Sequence, residues 1–215
     1  NPQFSYIREF SQGLAAVRVG DFKTGKYGYV DKSGKMVINP QFDNAEKFSE
    51  GLASIRIGDH KSGKSGYIDS SGKIVINPQF DFAGEFSQGL AAIRIGDFET
   101  GKWGYVDKAG KIAINPQFNL AWQFSDGLAV VRIGDSKTGK FGYIDLSGKI
   151  VINPQFNSVA DFSEGLAAVT LSSNETSKSI YGFIDKTGEM KIPPQFEGEY
   201  FFDNYYWLSE FHEGL

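Results

Sequence analysis

The sequence predicts an all-β fold built from tandem repeats of three- to four-stranded antiparallel meanders. The tetrapeptide Asn-Pro-Gln-Phe recurs with a spacing of 38 residues, beginning at Asn1, Asn39, Asn77, Asn115 and Asn153. Between the copies, short runs of β-branched and aromatic residues alternate with glycine-containing turns, which is typical of strands joined by hairpins. Self-similarity at one fixed period is the sequence sign of a repeat architecture.

The whole chain, 1–215, is interpreted as a single repeat domain. The repeats are 1–38, 39–76, 77–114, 115–152 and 153–192, the last being two residues longer than the others. A sixth copy of the motif, with Pro193 in the place of asparagine, opens a divergent partial repeat, 193–215. This segment is rich in aromatic residues and is predicted to cap the array.

The third repeat illustrates how the strands are assigned. Residues 90–95 form a β-branched run, and 103–107 and 111–114 flank an Asp-x-x-Gly-Lys turn. That turn suits a three-residue hairpin with Gly110 in the left-handed conformation. Pro116 is expected to end the third strand, because proline cannot donate a hydrogen bond to a ladder. The segment 118–124 fits either a fourth short strand or a single helical turn.

Repeated meanders can form an open stack of sheets or a closed β-propeller, here with five blades. A ring usually closes by letting the two chain ends complete one blade. In this sequence residues 1–14 and 193–215 instead duplicate the same part of the repeat. We therefore favour an open, solenoid-like array and keep the five-bladed β-propeller as the alternative.

Composition excludes several classes of function. The 215 residues carry 22 Lys and Arg against 26 Asp and Glu, a net charge of −4, so no basic field indicates nucleic acid as a partner. With no cysteine, neither a disulfide scaffold nor a thiolate metal site is available. No apolar run approaches the roughly 18 residues of a membrane span, so no membrane insertion is predicted. The two histidines, His60 and His212, are isolated, and we predict no metal site, no cofactor and no catalytic residue.

Four motifs recur in register: Gly-Leu-Ala-x-[Ile/Val]-Arg, Lys-x-Gly-Tyr-[Ile/Val]-Asp-x-x-Gly-Lys, Asn-Pro-Gln-Phe and Phe-Ser-[Glu/Gln/Asp]-Gly. Together they resemble the bacterial WG-repeat family, also called KWG repeats. The Trp-Gly pair itself survives only at Trp103-Gly104, and the other repeats carry Tyr27, Ser65, Phe141 and Tyr181 at the tryptophan position. The resemblance implies bacterial origin and a module of variable copy number. It implies no reaction and no catalytic residue.

Equivalent residues of stacked repeats are expected to form rows, and two rows are the main candidate site. The first row consists of Arg18, Arg56, Arg94 and Arg132, with Thr170 in the fifth repeat. The second consists of Tyr29, Tyr67, Tyr105 and Tyr143, with Phe183 in the fifth repeat, and its rings could face the guanidinium groups. One interpretation is internal pairing that locks repeat to repeat. The other is a concave strip that recognises an extended acidic or aromatic ligand.

Other polar positions have local explanations. The aspartates that open each tight turn, such as Asp107, are expected to bond to the turn backbone. The hairpin tips of the Lys-Thr-Gly-Lys type are interpreted as solvated turns, with weak anion contact as the alternative. In the C-terminal segment, Tyr205, Tyr206 and Trp207 are candidate docking residues, because tyrosine and tryptophan are enriched in interface hot spots.

The function predicted from these observations is a non-catalytic repeat module that serves protein–protein interaction or assembly, with a protein as its partner. The alternative is a module that binds a glycan or a cell-wall polymer through Tyr27, Trp103 and Phe141. An enzyme is disfavoured, because no converging set of acid, base and nucleophile can be identified in the rows.

Overall fold

The computed structural model describes residues 3–59, 61–170 and 178–199, and these ranges form strands and turns without a helix. Nothing in them has the length and apolar character of a membrane-spanning helix. The strands are β1 (Tyr6–Ile7), β2 (Leu14–Val19), β3 (Lys26–Asp31), β4 (Met36–Phe42), β5 (Asn44–Ser49), β6 (Leu52–Ile57), β7 (Lys64–Asp69), β8 (Ile74–Phe80), β9 (Phe82–Ser87), β10 (Leu90–Ile95), β11 (Lys102–Asp107), β12 (Ile112–Phe118), β13 (Leu120–Ser125), β14 (Leu128–Ile133), β15 (Lys140–Asp145), β16 (Ile150–Phe156), β17 (Ser158–Val159), β18 (Leu166–Thr170), β19 (Lys178–Asp185) and β20 (Met190–Glu199).

The strands form five four-stranded antiparallel sheets in chain order: β1–β4, β5–β8, β9–β12, β13–β16 and β17–β20. In the described residues none of these sheets closes on itself. The prediction of an all-β tandem array of antiparallel meanders is therefore confirmed. The chain divides into two compact units, Asn1–Pro116 and Gln117–Leu215, which we call unit 1 and unit 2.

The fourth strand comes from the segment that follows Asn-Pro-Gln-Phe. Strand β4 ends at Phe42 and β5 begins at Asn44, so the chain passes from the last strand of one sheet directly into the first strand of the next. In the fourth sheet this segment is β13. The strand interpretation of residues 118–124 is confirmed, and the helical turn is wrong.

The expectation that Pro116 ends a strand is also wrong, because β12 continues through it to Phe118. The equivalent strand β4 lies at the edge of its sheet, where a missing N–H is tolerated. The pairing of β3 with β4 shifts register between Tyr27 and Tyr29, which marks a bulge around Pro40. A Cβ added at Gly28 would stand 2.3 Å from the Ile38 carbonyl oxygen, so this bulge requires glycine opposite it.

The predicted hairpin turns have the expected geometry. In the first repeat the Asp31 amide donates to the Lys35 carbonyl at 3.0 Å, and the Gly34 amide donates to the Asp31 carbonyl at 2.9 Å. Gly34 has a φ of +81°, which is the left-handed conformation that the turn requires. The hairpins of the other repeats, with Gly72, Gly110, Gly148 and Gly188, follow the same pattern.

The core of each unit lies between consecutive sheets. In unit 1, Phe42 and Phe48 pack with Ile55 between the first two sheets, and Phe80 and Phe86 occupy the equivalent place between the next two. In unit 2 the layer between its two sheets is built in the same way, from Phe156, Phe162 and Val169. Each such side chain stabilises the fold by roughly 1.5–3 kcal/mol. The repeat thus buries its apolar faces against its neighbour within a unit.

Candidate functional site

The arginine row occupies the next-to-last position of the second strand in each of the first four sheets. In β2 the alternation of the strand buries Val17 completely and turns Arg18 to the other face, where it is half-buried. The residue directly opposite on the third strand is the one at the Trp-Gly position. The pairs are Arg18 with Tyr27, Arg56 with Ser65, Arg94 with Trp103 and Arg132 with Phe141.

In the first sheet the arginine is surrounded by aromatic rings, and we call Tyr6, Arg18, Phe22 and Tyr27 the first cluster. The guanidinium carbon Cζ of Arg18 lies 5.3 Å from the ring centroid of Phe22, 5.8 Å from that of Tyr6 and 5.9 Å from that of Tyr27. Its Nε donates to the Ser5 hydroxyl at 3.1 Å. Such cation–π contacts stabilise by about 0.5–1 kcal/mol each at exposed sites.

The third sheet repeats this arrangement in what we call the third cluster, formed by Phe82, Arg94, Phe98 and Trp103. The Cζ of Arg94 lies 5.5 Å from the Phe98 centroid and 5.8 Å from the Trp103 centroid. The Phe82 and Trp103 rings pack with their centroids 5.0 Å apart. Phe98 itself is 87% exposed, so the cluster presents an aromatic surface to solvent.

The second sheet differs because Ser65 supplies no ring. Arg56 there donates from Nε to the Asp59 carbonyl at 3.1 Å and from an η nitrogen to the Asp81 carbonyl at 3.0 Å. Its guanidinium therefore bonds to the backbone, including the segment that leads into the third sheet. In this sheet the interpretation of internal pairing describes the arginine well.

In unit 2 the row continues with Arg132, whose Cζ lies 5.8 Å from the Phe141 centroid. Trp122 packs against the same phenylalanine, with ring centroids 6.2 Å apart. The fifth repeat has Thr170 at this position, and it is only 2% exposed.

The tyrosine row lies in the interior rather than on the face of the arginines. Each of Tyr29, Tyr67, Tyr105 and Tyr143 is fully buried. Three of the hydroxyls donate to a backbone carbonyl of the following sheet: Tyr29 to Glu46 at 2.7 Å, Tyr67 to Gly84 at 2.8 Å and Tyr143 to Ala160 at 2.8 Å.

Burial raises the pKa of these phenols, Tyr67 among them, above the ordinary value, so they remain hydrogen-bond donors. These contacts support the interpretation in which the tyrosines join repeat to repeat. The rings that face the arginines come instead from the Trp-Gly position and the neighbouring loop.

A second set of contacts between sheets, which we call the turn ladder, is not predicted from the sequence. The turn between the first two strands of each sheet holds a non-glycine residue at positive φ, for example Glu50 at +52°. Its carboxylate accepts a hydrogen bond from the Gly89 amide of the next turn at 3.0 Å and pairs with Lys108 at 2.9 Å. The Lys108 ammonium group lowers the pKa of Glu50. The preceding Ser49 donates from its hydroxyl to the Phe86 carbonyl at 2.7 Å.

The same turn ladder occurs elsewhere within each unit. In unit 1, Gln12 accepts from the Gly51 amide at 2.9 Å. In unit 2, Asp126 accepts from the Gly165 amide at 2.9 Å and pairs with Lys186 at 2.7 Å. The available signal was the motif Phe-Ser-[Glu/Gln/Asp]-Gly, in which an acceptor side chain always precedes the glycine.

The turn aspartates and hairpin lysines have local partners. Asp31 accepts from the amides of Ser33 and Lys35, and its pKa is lowered first by the Ser33 hydroxyl. The predicted bonds to the turn backbone are thereby confirmed. At the lysine-rich tips, Lys26 pairs with Asp43 and Lys64 pairs with Asp81. Two lysines of the basic row at these tips are therefore neutralised.

In the part of the chain that the structure describes, no three His, Asp or Glu side chains lie together where they could hold a metal ion. His60, His212 and the aromatic candidates Tyr205, Tyr206 and Trp207 lie outside the described residues. Trp103, the last of the sequence-predicted binding residues, is half-buried in the third cluster.

Comparison with known protein families finds a match to the model described as WG containing repeat. It matches six segments in tandem: 1–21, 27–59, 66–97, 103–136, 141–173 and 181–210. A search of curated proteins finds no match.

Among solved structures, a eukaryotic initiation factor is similar over 90% of this chain and 55% of its own, with 15% identity and a TM-score of 0.59. Prolyl oligopeptidase B from Galerina marginata is similar over 87% of this chain and 33% of its own, with 13% identity and a TM-score of 0.57. Oligopeptidase B from Trypanosoma brucei is similar over 90% of this chain and 34% of its own, with 10% identity and a TM-score of 0.57. The chain thus spans about half of the first structure and about a third of the two peptidases. At these identities the likeness shows the fold alone.

Proposed function

This chain belongs to the WG-containing repeat family, and on that premise we propose that it is a non-catalytic module that binds or assembles another protein. The observation that carries the proposal is the pair of aromatic–arginine clusters in unit 1. Tyrosine, tryptophan and arginine are the residues that dominate protein interface hot spots. In the third cluster Arg94 and Trp103 lie together beside the exposed ring of Phe98.

The polar contacts within the fold support a structural role for most of the other residues that recur from repeat to repeat. The tyrosine hydroxyls and the turn ladder join neighbouring sheets, and the turn aspartates bond to their own turns. These groups already have partners in the fold. The arginine clusters therefore remain the best candidates for recognition.

The experiment is a pull-down from lysate of the source cells with the chain as bait, repeated with Arg94→Ala and Trp207→Ala. The matched control is Lys32→Ala, which removes a positive charge in the same unit from the exposed hairpin between β3 and β4. We expect a stoichiometric protein that Lys32→Ala retains and that one of the other two variants loses. Retention of every captured protein by both Arg94→Ala and Trp207→Ala would contradict the proposed surfaces.

A second candidate function, binding of a glycan or a cell-wall polymer, is favoured by one observation. Phe82 and Trp103 pack closely and expose part of their rings, and aromatic platforms of this kind suit the apolar faces of sugars. Retention of the chain on cell-wall material, lost in Trp103→Ala and with no protein enriched, would favour this candidate. Dependence on Tyr205, Tyr206 or Trp207 would favour the protein partner.

A further inference from the structure

The guanidinium groups of the first and third clusters lack a carboxylate partner. Arg18 has a single hydrogen bond, from Nε to the Ser5 hydroxyl, and Arg94 has none to the described residues; its Nε is buried without a partner. No described acidic side chain forms an ion pair with either of them. A guanidinium held against aromatic rings with its η nitrogens unbonded has the geometry that binds carboxylates, often in bidentate fashion.

The nearby charges of unit 1 are already engaged. Lys26 and Lys64 pair with Asp43 and Asp81, and the carboxylate of Asp97 accepts hydrogen bonds from its own loop. The Asp21 carboxylate is likewise bonded within its own loop, so neither of these loop acids forms an ion pair with a cluster arginine. The two guanidinium groups therefore remain complementary to the carboxylates of a partner.

Apolar side chains accompany the two arginines on the same hairpin edge. Phe22 is 84% exposed and Phe98 is 87% exposed. The last residues of the second strands, Val19, Ile57 and Ile95, are 38%, 46% and 48% exposed. An exposed apolar strip with cationic groups beside it is typical of an interaction surface rather than of a solvated edge.

The spacing of the clusters defines the length of the ligand. The second sheet, which lacks a ring at the Trp-Gly position, separates the two clusters, and stacked sheets lie about 10 Å apart. The clusters are therefore on the order of 20 Å apart. An extended chain advances about 3.3 Å per residue, so roughly six residues span that distance.

Resting on the proposed function, we infer that this edge of unit 1 binds an extended acidic peptide segment of the partner protein. Two apolar side chains of the segment, about six residues apart, contact the rings of the first and third clusters. Carboxylates beside them pair with Arg18 and Arg94. The second sheet contributes the Ile57 side chain between the two anchor points.

The test is selection of a phage-displayed library of random peptides, about 16 residues long, on the immobilised full chain. The variant for comparison is the double substitution Arg18→Gln and Arg94→Gln, and the matched control is the double substitution Lys32→Gln and Lys35→Gln. The control removes the same charge from the hairpin between β3 and β4. Circular dichroism and thermal melts establish that both variants fold. Affinities of the selected peptides are then measured by fluorescence anisotropy at two salt concentrations.

We expect enriched peptides that carry net negative charge and two apolar positions five to seven residues apart. Each single arginine substitution should weaken their binding about tenfold and the double substitution more than fiftyfold, whereas the lysine control should leave it unchanged. No enrichment, enrichment without acidic residues, or equal affinity for the arginine double variant would overturn the inference. If such a result accompanies a pull-down in which Trp207→Ala loses a stoichiometric protein, the proposed function stands and only the acidic partner at this edge is rejected.

Discussion

Removing the hydroxyl of Tyr67 isolates one of the bonds that join neighbouring sheets. In Tyr67→Phe the ring keeps its place against Phe86, with which its centroid distance is 4.8 Å. The change deletes the 2.8 Å hydrogen bond to the Gly84 carbonyl and leaves that oxygen without its donor. Loss of one partner of a buried hydrogen bond costs about 1–2 kcal/mol. For a chain of this size we expect the Tm to fall by roughly 2–8 °C.

The assay is equilibrium unfolding in urea together with calorimetry, with Tyr6→Phe as the matched control. Tyr6 is 46% exposed and its hydroxyl forms no hydrogen bond to the described residues, so the same chemical change there should leave the free energy of unfolding within about 0.3 kcal/mol of wild type. If Tyr67→Phe is as neutral as Tyr6→Phe, the hydroxyl bonds do not hold the sheets together. The ring packing alone would then account for the burial of the tyrosine row.

Three further predictions concern the junctions and the core. A Cβ at Gly104 would stand 2.4 Å from the Ile114 carbonyl oxygen, so Gly104→Ala should lower the free energy of unfolding by about 3 kcal/mol. In the control Gly84→Ala the nearest atom to the new Cβ is 3.3 Å away, and the loss should be under about 1 kcal/mol. Urea titration of the two variants measures both losses. Burial raises the pKa of Asp161 to about 6, so the folded chain holds a proton that the unfolded chain has released. The contribution of Asp161 to the free energy of unfolding should therefore fall by up to about 3 kcal/mol as the pH rises from about 4 to above 6, and a difference between wild type and Asp161→Asn that stays constant over this range would refute this. A double-mutant cycle on Glu50 and Lys108 should give a coupling of about 0.5 kcal/mol that disappears in 1 M salt.

The repeat and its strands could be predicted from the sequence because their signals are local. The hairpin that ends at Gly34 needs a left-handed glycine and an aspartate that bonds to its own turn, and both are visible in Asp-x-x-Gly-Lys. The role of Pro40 is harder to predict from the sequence, because a proline ends a central strand but is tolerated within an edge strand at a bulge. Which strand is an edge follows from the tertiary arrangement and not from the tetrapeptide.

The candidate site was only half predictable, for a related reason. In β6 four consecutive residues from Leu52 are buried, because both faces of the sheet are covered, so alternation does not distinguish interior from surface. Strand alternation consequently predicts the tyrosine row beside the arginines, whereas the row packs between sheets. The ring beside Arg94 is Trp103, which is its direct neighbour across the hairpin. Strands β10 and β11 pair over six residues, and this register places Trp103 opposite Arg94.

The turn ladder has a consequence for how such a chain changes over generations. Its bonds join residues 37 or 39 positions apart, which is one residue fewer or one residue more than the repeat length. Examples are the bond from Ser49 to Phe86 and the bond from Gly89 to Glu50. A recombination event that duplicates or deletes one whole repeat therefore brings the same donors opposite the same acceptors at the new junction. Only charge pairs such as Lys108 with Glu50 need to be matched again, since Gln12 uses an uncharged acceptor for the same bond. The hydrogen bonds between neighbouring repeats are thus preserved. The number of repeats can therefore change while the surface residues of each copy diverge.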